Sequence, residues 1–117
     1  GLTAAVKEIG ALRQAFWNDL RVPGEAAELN KNLEQANRLA DFIELGELMA
    51  RDALMREESC GGHLRDEHVT PEGEARRDDE NFMFVAAWQW QGEGKAHTMI
   101  KEALEYEDIE VKTRSYK

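Results

Sequence analysis

The sequence LADFIELGELMARDALMREESCGGH, residues 39–63, marks the change from helical to extended structure in this chain. A long helical pattern fills most of the stretch and stops at the paired glycines Gly61 and Gly62. Glycine suits the left-handed conformation that follows a helix end, and it lets neighbouring backbones approach closely. The loop at residues 57–63 is therefore predicted to join a helical part of the chain to an extended part.

Two amphipathic helices are predicted before this loop. The first is predicted over residues 3–20, capped by Thr3, because apolar side chains recur there at steps of three and four. The second is predicted to hold Glu25 and Glu28 in its first turn, where the macrodipole favours negative charge, and to continue to about Ser59. Its apolar residues form two adjacent stripes: Leu29, Leu33, Ala36, Ala40 and Ile43, then Leu39, Phe42, Leu45, Met49 and Ala53.

Such a wide apolar face predicts packing against two neighbours rather than one. The first helix is one neighbour, and the other is either sequence preceding Gly1 or the β section that follows. Gly1 is followed at once by helical sequence, so the chain is expected to be cut from a longer protein. We therefore expect an exposed apolar patch along residues 39–54, through which the isolated chain self-associates.

The rest of the chain is predicted to be a polar connector at 64–81, with a turn at Pro71 and Gly73, and a β-rich tail at 82–117 that packs on the helices. One strand face is predicted to carry Phe82, Phe84, Ala86, Trp88 and Trp90 as core residues, and a turn is predicted at Gly92-Glu93-Gly94. Further alternation from 104 to 113 predicts another strand or two. The predicted fold is mainly α: a small up-down helical bundle at 1–63 with a C-terminal antiparallel hairpin, all in one domain.

Composition excludes several classes of protein. The chain has 117 residues, with 15 basic and 24 acidic side chains and a formal net charge of −9. Because nucleic acids and anionic membranes are polyanions, neither is an expected partner. No apolar run approaches the ~20 residues needed to cross a bilayer, so no membrane insertion is expected. The single cysteine, Cys60, rules out a disulfide framework and favours a reducing cytoplasm.

Several patterns suggest chemistry without supporting it. Cys60, His63 and His68 are residue types that bind zinc, but their spacing matches no structural zinc pattern. Cys60 and His63 also lack a third group that would orient them as nucleophile and base. We therefore predict neither a metal site nor a catalytic residue in this chain.

A cluster of alternating charge precedes the predicted strand. The segment Arg76-Arg77-Asp78-Asp79-Glu80 is either a solvated surface run or a positioned arginine–carboxylate pair, and the sequence leaves both readings open. Arg13, by contrast, is predicted to lie on the polar face of the first helix.

Four segments together resemble a known family. They are Leu45-Gly46-Glu47-Leu48-Met49 through Asp52-Ala53-Leu54, then Arg56-Glu57-Glu58-Ser59-Cys60-Gly61-Gly62-His63 with Arg65, Arg77-Asp78-Asp79-Glu80-Asn81, and Thr113-Arg114-Ser115-Tyr116. In order and spacing they resemble the C-terminal part of the flavoprotein subunit of succinate dehydrogenase and fumarate reductase. Cys60 and Gly62 differ from the Arg and Ala that many members carry there, and they resemble a bacterial subgroup.

The resemblance implies a structural domain of an FAD enzyme that interconverts succinate and fumarate and passes electrons to iron–sulfur centres and quinone. In the parent it implies a spectrin-repeat-like three-helix bundle that packs on the flavin and capping domains, beside an iron–sulfur subunit at the cytoplasmic face of a bacterial inner membrane. It implies no catalytic or FAD-binding residue here, so the isolated chain is expected to be inactive and free of flavin. The expected docking residues are Ser59, Cys60, Gly61, Gly62, His63, Arg65, Arg77, Asp78 and Asp79.

One alternative remains open at this point. A free-standing acidic helical module would bind another protein through its wide apolar face and have no enzymatic role. A start codon close to Gly1 would favour this module, whereas a long upstream sequence with a dinucleotide-binding fingerprint would favour the flavoprotein.

Overall fold

The computed structural model describes residues 1–25, 27–92 and 94–113. In these residues the elements are α1 (Leu2–Asp19), α2 (Lys31–Met55), α3 (Asp79–Phe82), β1 (Phe84–Gln89) and β2 (Thr98–Ala103). The predicted fold class, a small helical bundle with a C-terminal antiparallel hairpin, is confirmed. The chain divides into two compact units, Gly1–Arg56 and Glu57–Lys117, and each is described separately below. Packing of the tail on the helices stays a prediction.

The first unit is a helical hairpin in which α1 and α2 pack against each other. Helix α1 begins at Leu2, so Thr3 lies inside the helix and the prediction that it caps the helix is wrong. Gly1 occupies the N-cap position without a side-chain hydrogen bond, since glycine has no side chain to supply one. At the other end the helix stops at Asp19, and the Leu20 amide donates to the Phe16 carbonyl at 3.2 Å.

Helix α2 begins later than predicted because Asn30 caps it. The Oδ1 atom of Asn30 accepts from the amides of Asn32 at 3.0 Å and Leu33 at 3.2 Å. A side-chain acceptor satisfies amides that a helix start leaves unpaired, whereas a nearby negative charge only adds to a helix that has already begun. Glu25 and Glu28 therefore precede the helix, and the prediction that they occupy its first turn is wrong.

The start of α2 is also tied to the preceding loop. The Nδ2 atom of Asn30 donates to the Pro23 carbonyl at 3.0 Å. Gly24 has a φ of +106°, and a Cβ atom on it would lie 2.6 Å from the same Nδ2 atom. Both the positive φ and the close approach require glycine at this position.

Helix α2 ends at Met55, earlier than the predicted Ser59. The Arg56 amide closes the helix by donating to the Asp52 carbonyl at 3.1 Å. Gly61 does have a positive φ, of +57°, but it uses this conformation in a separate turn and not in a helix cap. The helix is uninterrupted at Gly46.

The second unit contains the antiparallel pair β1 and β2, in which Phe84 lies opposite Ala103 and Gln89 lies opposite Thr98. The second strand thus comes before residues 104–113, where the alternating pattern predicted it, and those residues lie outside the strands. Pairing β1 with residues 98–103 closes a shorter loop than pairing it with residues 104–113, so it costs less loop-closure entropy. Gly92 and Gly94 both have positive φ values, while Glu93 of the predicted turn lies outside the described residues.

The aromatic face of β1 is shorter than predicted. Phe84, Ala86 and Trp88 lie on the half-buried face of the strand. Phe82 belongs to α3, although its ring still lies 6.1 Å from that of Phe84. Trp90 follows the strand and is 65% exposed, so the prediction that it is a core residue is wrong.

The buried residues of the described chain are mostly polar. Ile43 is the apolar side chain in this class, at 6% exposure, and the others are Glu47, Glu58 and Ser59. Buried polar groups are tolerated when hydrogen bonds or ion pairs satisfy them. Directional contacts therefore take a large share in fixing this structure.

Candidate functional site

Ser59 holds the predicted docking loop together from inside. It is fully buried, and its Oγ accepts from the Arg65 amide at 2.8 Å and donates to the Arg65 carbonyl at 3.2 Å. Its own amide donates to the Arg76 carbonyl at 2.9 Å. The Ser59 side chain thus ties the start of the loop to Arg65, and its backbone amide ties it to Arg76.

Cys60 and His63 close the tip of the loop through their backbones. Each amide donates to the other residue's carbonyl, at 2.9 Å and 3.0 Å. Gly61 and Gly62 between them are exposed, and a Cβ atom on either would meet no heavy atom within 4 Å. The space around both glycines is open, and a partner's backbone can approach them closely.

The segment after the tip folds back as a second narrow turn. Val69 and Ala75 form an isolated bridge, and the Gly73 amide donates to the Thr70 carbonyl at 2.9 Å, which confirms the turn predicted around Pro71 and Gly73. Backbone bonds join His68 to Arg65 and to Arg76. The connector is therefore ordered by its own hydrogen bonds.

Arg65 lies at the base of this turn with its side chain only 12% exposed. Its Nη2 atom lies 2.6 Å from Oε1 of Glu67. This hydrogen bond is the main reason that the pKa of Glu67 falls below its usual value.

Arg77 forms the positioned pair that the sequence left open. Its Nε donates to Oδ1 of Asp79 at 2.9 Å, its Nη2 donates to the same oxygen, and its Nη1 donates to the Lys112 carbonyl at 3.4 Å. The hydrogen bond with Asp79 raises the pKa of the Arg77 guanidinium. The two side chains are 24% and 41% exposed, so the pair is partly accessible.

Asp78 has a different task from Asp79. Its carboxylate caps α3 by accepting from the Asn81 amide at 3.2 Å. Its own amide donates to Oε2 of Glu58 at 3.0 Å, and Glu58 is 3% exposed. The buried carboxylate of Glu58, the residue directly before Ser59, thus joins the charged cluster to the loop.

The nine predicted docking residues therefore lie in one hydrogen-bonded structure. Its two halves, the loop and the Arg77–Asp79 cluster, are joined through Glu58 and through the bond from Ser59 to Arg76. Glu58 and Arg76 were not predicted as site residues. Their position next to Ser59 and Arg77 in the motif segments is the sequence signal that could have identified them.

No arrangement typical of a reaction centre is present in the part of the chain that the structure describes. Within residues 1–25, 27–92 and 94–113, no three His, Cys, Asp or Glu side chains are placed to hold a metal ion. The positive-φ glycines Gly92 and Gly94 follow β1 but precede an antiparallel partner, β2. A dinucleotide-binding turn leads instead from a strand into a helix.

A second charged cluster, in the helical hairpin, was not predicted from the sequence. Glu47 is buried, and its Oε1 accepts from Nε of Arg51 at 3.1 Å and from Nη2 at 2.7 Å. Nη1 of Arg13 lies 3.1 Å from the other oxygen, Oε2. Arg13 therefore joins α1 to α2, and the prediction that it is an ordinary polar-face residue is wrong.

The first unit is thus a helical hairpin, and the second unit carries a preformed polar loop and a β-hairpin. The family model described as the C-terminal domain of the fumarate reductase flavoprotein matches residues 1–116. The chain belongs to this family, whose members are parts of oxidoreductase flavoproteins. No curated protein and no solved structure matches the chain.

The match covers the motif segments that carried the resemblance. Of the terminal segment Thr113-Arg114-Ser115-Tyr116, the last three residues lie outside the described residues. None of the helices among the described residues is long and apolar enough to cross a membrane.

Proposed function

We propose that this chain is a structural domain that completes an FAD-dependent flavoprotein of the succinate dehydrogenase and fumarate reductase type. Its docking surface is the loop at 59–63 with Arg65 and the Arg77–Asp79 cluster, and its partners are the flavin and capping domains of the same subunit. The buried hydrogen bonds of Ser59 support this function most strongly, because they hold the loop in one conformation before any partner is present.

A preformed loop suits docking for an energetic reason. Ordering a flexible loop on binding costs free energy, and a loop that is already ordered avoids this cost. The exposed glycines at the tip add a surface on which a partner backbone can lie close. The loop therefore favours binding to a structured protein surface.

The Arg77–Asp79 pair supplies the charged part of the same surface. Because the guanidinium makes two hydrogen bonds to one Asp79 oxygen, its orientation is fixed while about a quarter of it stays exposed. Such an arginine can bind a carboxylate or carbonyl of a partner with little further ordering.

The FAD of the longer protein is not bound by residues of this chain in our proposal. The described residues contain no turn from a strand into a helix N-terminus of the kind that binds a dinucleotide. The chemistry that FAD supplies, the exchange of electrons between succinate and an acceptor, is assigned to the rest of the subunit. Transfer to an iron–sulfur subunit and quinone, and a location at the cytoplasmic face of a bacterial inner membrane, belong to the same proposal.

The experiment is a comparison of two arginine variants in a polypeptide that joins this chain to its flavin domain. Arg77→Ala is expected to lower the melting temperature and the fraction of FAD that remains after gel filtration, because it leaves Asp79 without its main partner at the docking surface. Arg21→Ala is the control, because Arg21 is exposed and donates to the carbonyl of its neighbour Leu20. Equal FAD retention in the two variants would refute docking through this cluster.

A second measurement tests the assignment of FAD to the other domains. The purified chain alone is expected to bind no flavin and to reduce no dye with succinate. A yellow preparation with stoichiometric FAD would contradict it. The alternative, a free-standing interaction module, is less favoured because the family model spans nearly the whole chain.

A further inference from the structure

We draw no further inference here: the strongest candidate, the exposed apolar face of α2 that carries Leu39, Phe42 and Met49, supports none because nothing in the part of the chain that the structure describes shows what covers it.

Discussion

Replacing Glu47 with glutamine tests whether a buried charge joins the two helices. The carboxylate is 7% exposed, accepts two hydrogen bonds from Arg51, and lies 3.1 Å from Nη1 of Arg13 on the other helix. Glutamine keeps the shape but removes the charge. Its amide oxygen can still accept from one arginine, and its NH₂ group then faces the other arginine, donor against donor.

The magnitude follows from the exposure of the three side chains. Hydrogen bonds to charged groups contribute about 1.5–3 kcal/mol each when buried. Arg13 and Arg51 are 42% and 47% exposed, so water replaces part of what they lose, and we take the lower end of the range. We therefore expect Glu47→Gln to lower the free energy of unfolding by about 1.5–2.5 kcal/mol.

Glu34 provides a matched control in the same helix. It also pairs with an arginine four residues later, Arg38, but the two side chains are 56% and 68% exposed. An exposed pair of this kind is worth about 0.3–0.5 kcal/mol, and its place in the first turn adds about 0.3–1 kcal/mol from the helix dipole. The two contributions together amount to about 0.6–1.5 kcal/mol, so Glu34→Gln is expected to cost less than Glu47→Gln.

The assay is urea unfolding followed by far-UV circular dichroism, at low and high salt and at a concentration where the chain is monomeric. The cost of Glu34→Gln should shrink at high salt, whereas most of the cost of Glu47→Gln should remain because the carboxylate is shielded from solvent. Equal costs for the two variants, with the same salt dependence, would show that Glu47 behaves as a surface residue.

Three further predictions concern stability. Ser59→Ala should lower the free energy of unfolding in urea by about 1–3 kcal/mol, because it removes the Oγ atom that accepts from the Arg65 amide. Thr98→Ala is the control and should cost much less because Thr98 is exposed; similar costs for the two variants would show that the Ser59 hydroxyl does not hold the loop. Gly10→Ala should raise stability by about 0.5–1 kcal/mol, since a Cβ there meets no heavy atom within 4 Å, and a lower melting temperature would refute this. The pKa of Glu67 is lowered mainly by its hydrogen bond from Arg65, so the stabilisation of the fold by this pair is present above pH 4.5 and is lost as the pH falls through the lowered pKa. Glu67→Gln should therefore make the stability depend less on pH in this acid range, and an unchanged dependence would show that the pair does not stabilise the fold.

The elements with a regular apolar pattern were predictable, because side chains that face a core recur along the sequence with the period of the helix or strand. The stripe from Leu2 to Phe16 gave α1 to within a residue at each end, and the alternation from Phe84 to Trp88 gave β1. The motif segments around Ser59 and Arg77 identified the family over nearly the whole chain. Long apolar repeats and motif segments are the features on which sequence reasoning is strongest.

The errors arose where single contacts decided the outcome. Asn30 fixes the start of α2 through hydrogen bonds that no periodicity reveals. Glu47 occupies a position on the buried side of α2, but its pairing with Arg13 depends on how two helices align. The strand at 98–103 was not predicted because most of its side chains are exposed, so burial imposes little alternation of apolar and polar residues on its sequence.

The polar interior has a consequence for how the domain responds to temperature. The heat capacity of unfolding rises with the apolar surface that becomes exposed and falls with the polar surface. Among the described residues Ile43 is the apolar side chain in the buried class, whereas Glu47, Glu58 and Ser59 are the polar ones, so the heat-capacity change should be small for the chain length. The stability curve is then flat, so cooling weakens the fold little and heating melts it over a broad range.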